Sequence, residues 1–328
     1  MKSLSFKKFF KKSGIAILLL FLLPLLWVGY FMVKNDAPIL NGDIIYNQPY
    51  KTGFSLDIYP PTKVIYKKSP TIFFIHGGAW ITGRKESINN NRFHKAINLL
   101  RDEGYTIISP EYTLAEVGKS PFPSCIIDVN DAIVWVKAHA EEYHIDLKNL
   151  GIWGESAGAH LALMNAIRSS YAFDSTFEAT HFNYVVDIYG PTVLEGVYHS
   201  EMADSVEHIL EELPDFFKDD FDIALQVFGF DPRQDTARAN NLMETYSPLN
   251  YLRADAPPIL MIHGSADQVV PAKQSILLKQ KLDSLSVENE LHLLEGVNHA
   301  FFGANEEQRN TSQNWIAKFI QKQYRKQP

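Results

Sequence analysis

Cysteine is almost missing from this chain of 328 residues: Cys125 stands alone, so no intrachain disulfide can form. Set between Ser124 and a pair of isoleucines, it is expected as a small buried apolar residue. Acidic residues are missing from positions 1–34, which hold six lysines: Lys2, Lys7, Lys8, Lys11, Lys12 and Lys34. Basic residues are scarce everywhere else. The other 25 Lys and Arg face 38 Asp and Glu, a charge of about −13 on the body of the chain. Such a body repels phosphate backbones, which excludes nucleic acid as a partner. There is no internal repeat, no low-complexity tract and no histidine–carboxylate cluster with zinc-protease spacing, so neither a metal nor another cofactor is expected. With 46% hydrophobic and 21% charged residues, the composition suits a globular core.

Charge is also missing from 14–33, GIAILLLFLLPLLWVGYFMV. The run approaches the roughly 20 residues that cross a bilayer, and Pro24 is tolerated in such helices. A cleaved signal peptide is the competing reading, but its apolar part spans only about 7–15 residues. This run instead closes on Trp27, Tyr30 and Phe31, the aromatics of a membrane interface. The expectation is a single-pass signal anchor at 14–33. The lysine-rich 1–13 would be cytoplasmic, 34–41 a linker, and the body from 42 to 328 outside the cytoplasmic membrane.

From residue 42 onward, short strand-like runs alternate with helix-length segments. Strands are predicted at 43–50, 54–59, 71–75, 105–109, 150–153, 184–188, 258–263 and 290–294. Helices are predicted at 86–103, 121–143, 157–170, 271–284 and 308–324. This rhythm implies an α/β architecture, a mostly parallel sheet with helices on both faces. It breaks at about 191–246, where acid-rich, helix-like stretches at 205–213 and 219–228 predict a helical insertion capping the sheet.

Gly154-Glu155-Ser156-Ala157-Gly158 has the G-x-S-x-G spacing of a nucleophile elbow and lies between a predicted strand and a predicted helix, as such a turn requires. Flanking glycines avoid side-chain clashes in a strained turn that lifts the serine hydroxyl above the sheet. His160 lies on the elbow's own helix and is expected to pack locally. His76-Gly77-Gly78-Ala79-Trp80 follows another strand. Such a loop can aim the amides of Gly77 and Gly78, with that of Ala157, at a developing oxyanion, while His76 is expected to hold the loop.

Together these two motifs resemble the hormone-sensitive-lipase-like esterases of the α/β-hydrolase superfamily, and most closely their bacterial carboxylesterase branch of acetyl- and feruloyl-esterase-type enzymes. The resemblance runs from about 46 to 319 and includes Leu56-Asp57-Ile58-Tyr59-Pro60, Pro110-Glu111-Tyr112, the stretch from Asp128 to Trp135, and Ser247-Pro248-Leu249. It implies an α/β-hydrolase fold with a helical cap and hydrolysis of small-molecule carboxylic esters. Ala79 stands where many relatives carry a third glycine. The resemblance ties hydrolysis of tertiary-alcohol esters to the three-glycine form, so that activity is not implied.

In this fold the triad partners follow the serine in the order acid, then histidine. Asp267 lies just beyond the strand at 258–263, and His299 just beyond the strand at 290–294. The expected triad is Ser156, Asp267 and His299, and the resemblance supports the last two independently. Asp187, inside a strand, and Glu295, beside the histidine loop, are the weaker acids, and His263 and His292 are expected to pack. Trp80, Tyr112, Phe301 and Phe302 are candidates for an aromatic substrate pocket, with core packing as the alternative for each. An aryl formamidase or amidase of the same fold, or a non-catalytic anchored binding module, are the competing functions.

Overall fold

The computed structural model describes residues 42–90, 93–167, 177–200, 203 and 222–325. The expected signal anchor and linker lie outside the described residues. Among the described residues no helix is long and apolar enough to cross a membrane.

Eight strands form one sheet in the order β1-β2-β4-β3-β5-β6-β7-β8. They are β1 Ile45–Lys51, β2 Phe54–Tyr59, β3 Ser69–Ile75, β4 Thr106–Pro110, β5 Ile145–Glu155, β6 Tyr184–Ile188, β7 Ile259–Gly264 and β8 Asn289–Leu294. From β4 through β8 every neighbouring pair is parallel, and β2 alone runs the other way, antiparallel to both β1 and β4. Side chains alternate across a strand, and the central strands put apolar residues on both faces, so each face builds its own core. On one side Phe73, Ile75, Ile108, Ile152, Val185 and Met261 meet helices α2 (Ser124–Ala138) and α3 (Ala157–Ala166). On the other, Ile72, Phe74, Ile107, Trp153, Val186 and Leu260 meet α1 (His94–Asp102) and the long C-terminal helix Glu306–Arg325. Cys125 is buried in the first core, as expected.

Most predicted elements stand within a few residues of their expected bounds. The helix predicted at 86–103 does not form as one piece. Lys85–Asn90 is a single 3-10 stretch, and α1 begins only at His94. The run Asn89-Asn90-Asn91 falls at this break, and asparagine has a low helix propensity. The predicted 121–143 helix is shorter at both ends, running from Ser124 to Ala138; at its start Pro121 and Pro123 lack the N–H that an interior turn needs.

Between Gly190 and Ser247 the described residues form helices and no strand: α4 (Glu195–Tyr198), α5 (Ile223–Phe228) and α6 (Thr236–Thr245). Helix α5 starts at Asp222, whose carboxylate accepts from the Leu225 amide at 2.9 Å, and stops at Gly229 in the left-handed conformation. The helix predicted at 205–213 and the first residues of that at 219–228 lie outside the described residues.

Candidate active site

The serine sits where β5 turns into α3. Its backbone is strained, at φ 52° and ψ −124°, and its amide is tied to the Ile188 carbonyl at 2.9 Å. A Cβ on Gly154 would fall 2.2 Å from the Gly158 carbonyl oxygen, and one on Gly158 would fall 2.1 Å from that of Ile75. No side chain fits at either position, so the spacing read from the sequence is a steric requirement.

His299 reaches this turn from the loop after β8. Its Nε2 lies 3.0 Å from Ser156 Oγ, and its Nδ1 lies 2.7 Å from Asp267 Oδ2. A carboxylate can only accept, so Nδ1 carries the ring hydrogen and Nε2 presents its lone pair to the serine hydroxyl. The Asp267 side chain is fully buried on the loop after β7, and its Oδ1 accepts from the amides of Val269 and Val270, both at 2.9 Å. Burial pushes its carboxyl up, but hydrogen bonds from His263 and His299 and the Val270 amide outweigh that and hold it near 2. The aspartate is therefore charged, and it fixes the ring through the Nδ1 hydrogen. The Tyr189 ring packs against His299 edge-on at 4.8 Å, with its hydroxyl donating to Glu155 at 2.7 Å.

Asn298 is a participant that sequence reasoning missed. Its side-chain oxygen accepts from the amides of His299 at 2.7 Å and Gln268 at 3.0 Å, stitching the loop that bears the base to the loop that bears the acid. Only its place beside His299 in the sequence hinted at this.

The loop after β3 presses against the serine from the other side. A Cβ on Gly77 would stand 2.9 Å from the Glu155 carbonyl oxygen and 3.3 Å from Ser156 Cβ. Among the described residues the amides of Gly77, Gly78 and Ala157 donate to no protein acceptor, the condition expected of groups kept for an incoming oxyanion. His76 shapes this loop, as expected: its Nδ1 hydrogen-bonds the Gly77 carbonyl at 2.8 Å. Burial lowers its pKa to about 4, so the ring stays neutral.

The aromatic candidates separate. Trp80 lines a cavity of about 220 Å³ that opens beside Ser156 and Ala157 and is walled mainly by apolar cap residues such as Leu194, Val227 and Met243. Tyr112 does not line it. That ring is buried beneath the loop, stacked on His76 at 4.2 Å, with its hydroxyl donating to the His76 carbonyl at 2.9 Å. Phe301 is core, packed against Phe93 and Tyr189, and Phe302 is exposed.

The rival groups are engaged elsewhere. Asp187 is fully buried in β6, accepts from the Gly190 amide at 2.8 Å, and is pushed up to about 6 by burial. Glu295 lies exposed on the loop between β8 and the histidine. His160 is buried and hydrogen-bonded to the Tyr246 carbonyl at 2.7 Å. His292 stacks flat on Trp315 at 3.9 Å.

The family model BD-FAE matches residues 56–282. The chain is 30% identical over 242 residues to the "Probable carboxylic ester hydrolase LipM" of Mycobacterium tuberculosis, covering 72% of this chain and 50% of that protein. With the esterase LipC of the same organism it shares 25% identity over 262 residues, 75% of this chain and 56% of that one. The chain thus spans about half the length of the curated relatives it matches. Among solved structures, a truncated carbohydrate esterase from gut microbiota superposes with a TM-score of 0.64 at 23% identity, over 87% of this chain and 99% of that one. The thermophilic esterase Est2 of Thermogutta terrifontis gives 0.59 at 22% identity, over 86% and 92%. At such identities the likeness concerns the fold.

Proposed function

The chain belongs to the BD-FAE family and has the α/β-hydrolase fold, and from these premises we propose that it is a serine carboxylesterase acting on small acyl esters, with Ser156, His299 and Asp267 as its triad. The observation that carries the reading is the continuous relay from Ser156 Oγ through His299, at 3.0 Å and then 2.7 Å, to a charged, buried Asp267.

In the proposed cycle His299 Nε2 takes the proton of Ser156 as Oγ attacks the ester carbonyl carbon. The carbonyl oxygen gains the electron pair and is held by the amides of Gly77, Gly78 and Ala157. The tetrahedral species collapses by breaking the bond to the alcohol oxygen, which leaves with the proton from His299 Nε2. An acyl group then remains on Ser156. Water, deprotonated by the same nitrogen, attacks this ester, and the acid departs as the proton returns to Oγ. Asp267 keeps Nδ1–H directed and balances the charge on the imidazolium. The apolar cavity with Trp80 in its wall supports an ester whose group beside the nucleophile is apolar. The uncharged run at 14–33, with its flanking lysines, supports a membrane anchor and a catalytic domain outside the cytoplasmic membrane.

A fluorophosphonate probe tests the nucleophile, with p-nitrophenyl acetate as the turnover assay. Ser156→Ala abolishes labelling, and Ser156→Ala and His299→Ala each bring turnover to near background. Asp267→Ala costs less but still several orders of magnitude. Wild-type turnover in Ser156→Ala overturns the reading.

A further inference from the structure

A second histidine touches the acid's turn, and packing alone does not account for how it is placed. His263 is the penultimate residue of β7, wholly buried, with both ring nitrogens engaged. Its Nε2 lies 2.7 Å from the Val270 carbonyl oxygen and its Nδ1 lies 2.7 Å from Ser275 Oγ. The carbonyl offers only lone pairs, so Nε2 carries the hydrogen and Nδ1 accepts the Ser275 hydroxyl. Ser275 is itself fully buried, on α7 (Lys273–Ser284). Val270 is also one of the two residues whose amides bind Asp267 Oδ1. His263 Nε2 lies 3.4 Å from Asp267 Oδ2, the oxygen that receives the Nδ1 hydrogen of His299.

We infer that His263 is a positioning residue for the proposed triad, clamping the turn from Asp267 to Val270 so that the carboxylate stays in register with His299. This rests on the triad reading above. Burying an imidazole that served only as filler would cost desolvation that an aliphatic side chain avoids, whereas here each polar ring atom is fixed to the acid's turn or to the helix behind it. The chain of contacts runs from Ser275 to His263, to the Val270 carbonyl and the Asp267 carboxylate, to His299, to Ser156. The charged and titratable groups facing the ring are Asp267, Asp187 on the neighbouring strand and, at 6.5 Å, the Tyr189 ring.

The test uses the full-length chain, p-nitrophenyl acetate kinetics and thermal melts. His263→Leu removes the clamp, and kcat falls on the order of 10–100-fold while KM stays within about twofold, the effect of a misplaced catalytic group. His263→Gln, whose amide nitrogen can reach the same carbonyl, recovers most of kcat, which a loss of packing volume does not predict. In an Asp267→Ala background His263→Leu has no further effect, because residues acting through one group are not additive. If His263→Leu does not fold, Ser275→Ala takes its place. It keeps the imidazole but frees Nδ1, and lowers kcat in the same direction.

The inference is overturned by wild-type kcat in folded His263→Leu (or, failing that, in Ser275→Ala), by His263→Gln being as impaired as His263→Leu, or by an undiminished fold-loss on top of Asp267→Ala. The Ser156→Ala control keeps the two claims apart. A dead Ser156→Ala beside an unaffected His263 series removes only the clamp, whereas an active Ser156→Ala removes the triad itself.

Discussion

Replacing Gly77 by alanine presses the oxyanion loop away from the nucleophile turn. The added Cβ would stand 2.9 Å from the Glu155 carbonyl oxygen, whereas ordinary contact begins at 3.4 Å, so something must yield by about 0.5 Å. The elbow side is rigid: Glu155 pairs with Ile188 in the sheet, and the Ser156 amide is tied to the Ile188 carbonyl. The loop from His76 to Trp80 is therefore the part that moves, and its two amides move with it. A 1 Å misplacement costs about 10² in rate, so half of that costs about tenfold, or about 1.4 kcal/mol. Full loss of one donor would cost about 10²–10³. Those amides act on charge that exists only in the transition state, so the loss falls on kcat and leaves KM within about twofold. Gly77 does not have the positive φ that penalises a side chain, but its Cβ would meet a backbone oxygen at 2.9 Å. Gly77→Ala therefore lowers the melting temperature as well, by less than a substitution that carries both penalties. Gly78→Ala carries both penalties, φ +123° and a Cβ 2.1 Å from the Thr82 carbonyl oxygen, and lowers stability more than Gly77→Ala. Steady-state kinetics on p-nitrophenyl acetate with parallel thermal melts read both effects. Folded Gly77→Ala with wild-type kcat, or with its whole loss in KM, refutes the oxyanion assignment.

Asp187 makes the fold sensitive to pH. Burial raises its carboxyl from 3.8 to about 6, so between those values the folded chain holds a proton that the unfolded chain has released. Its contribution therefore declines as pH rises from about 4 to about 6, by on the order of 3 kcal/mol. Asp187→Asn keeps the acceptor for Gly190 and loses that decline; denaturant unfolding at pH 4, 5 and 7 measures it, and an unchanged pH dependence refutes the account. If 14–33 is a signal anchor, the full-length chain fractionates with membranes, needs detergent for release and keeps Met1 or Lys2 at its N-terminus. A detergent-free product beginning beyond Val33 identifies a cleaved signal peptide instead.

What could be read from the sequence was what local spacing encodes. Strand alternation, the glycine-flanked serine and the His76-Gly77-Gly78 loop are contiguous patterns, and each stands in the fold within a few residues of its expected place. Roles set by register between distant loops were illegible. Asn298 looked like a neighbour of the base, yet it joins Gln268 to His299 because β7 and β8 pair with Gly264 opposite Leu294. His263 was expected to pack, and it does, but its bond to Val270 depends on how the next turn folds back. Tyr112, chosen as an aromatic near the site, faces inward because its hydroxyl meets the His76 carbonyl. The split before α1 coincides with three adjacent asparagines, residues of low helix propensity that a periodicity count does not register.

The convergence itself has a geometric cause. Because β5, β6, β7 and β8 are adjacent and parallel, their C-terminal ends line one rim in sequence order. Strands stand about 4.8 Å apart, so β7 ends roughly 10 Å from β5 and β8 roughly 14 Å. Ser156 follows the last residue of β5 directly, Asp267 lies three residues beyond Gly264, and His299 five beyond Leu294. The five residues after β8 are not extended. The Val297 amide donates to the Leu294 carbonyl at 3.3 Å around a left-handed Gly296, and the Ala266 amide on the β7 loop donates to the Val297 carbonyl at 3.0 Å. The imidazole covers the last part of the distance to the serine. The offset from strand end to functional residue still grows with strand separation, at one, three and five residues. Deleting one residue between Leu294 and His299 would break this turn and the Asn298 bonds that join it to Gln268, so the ring would lose its register with Ser156 Oγ and with Asp267 Oδ2 together.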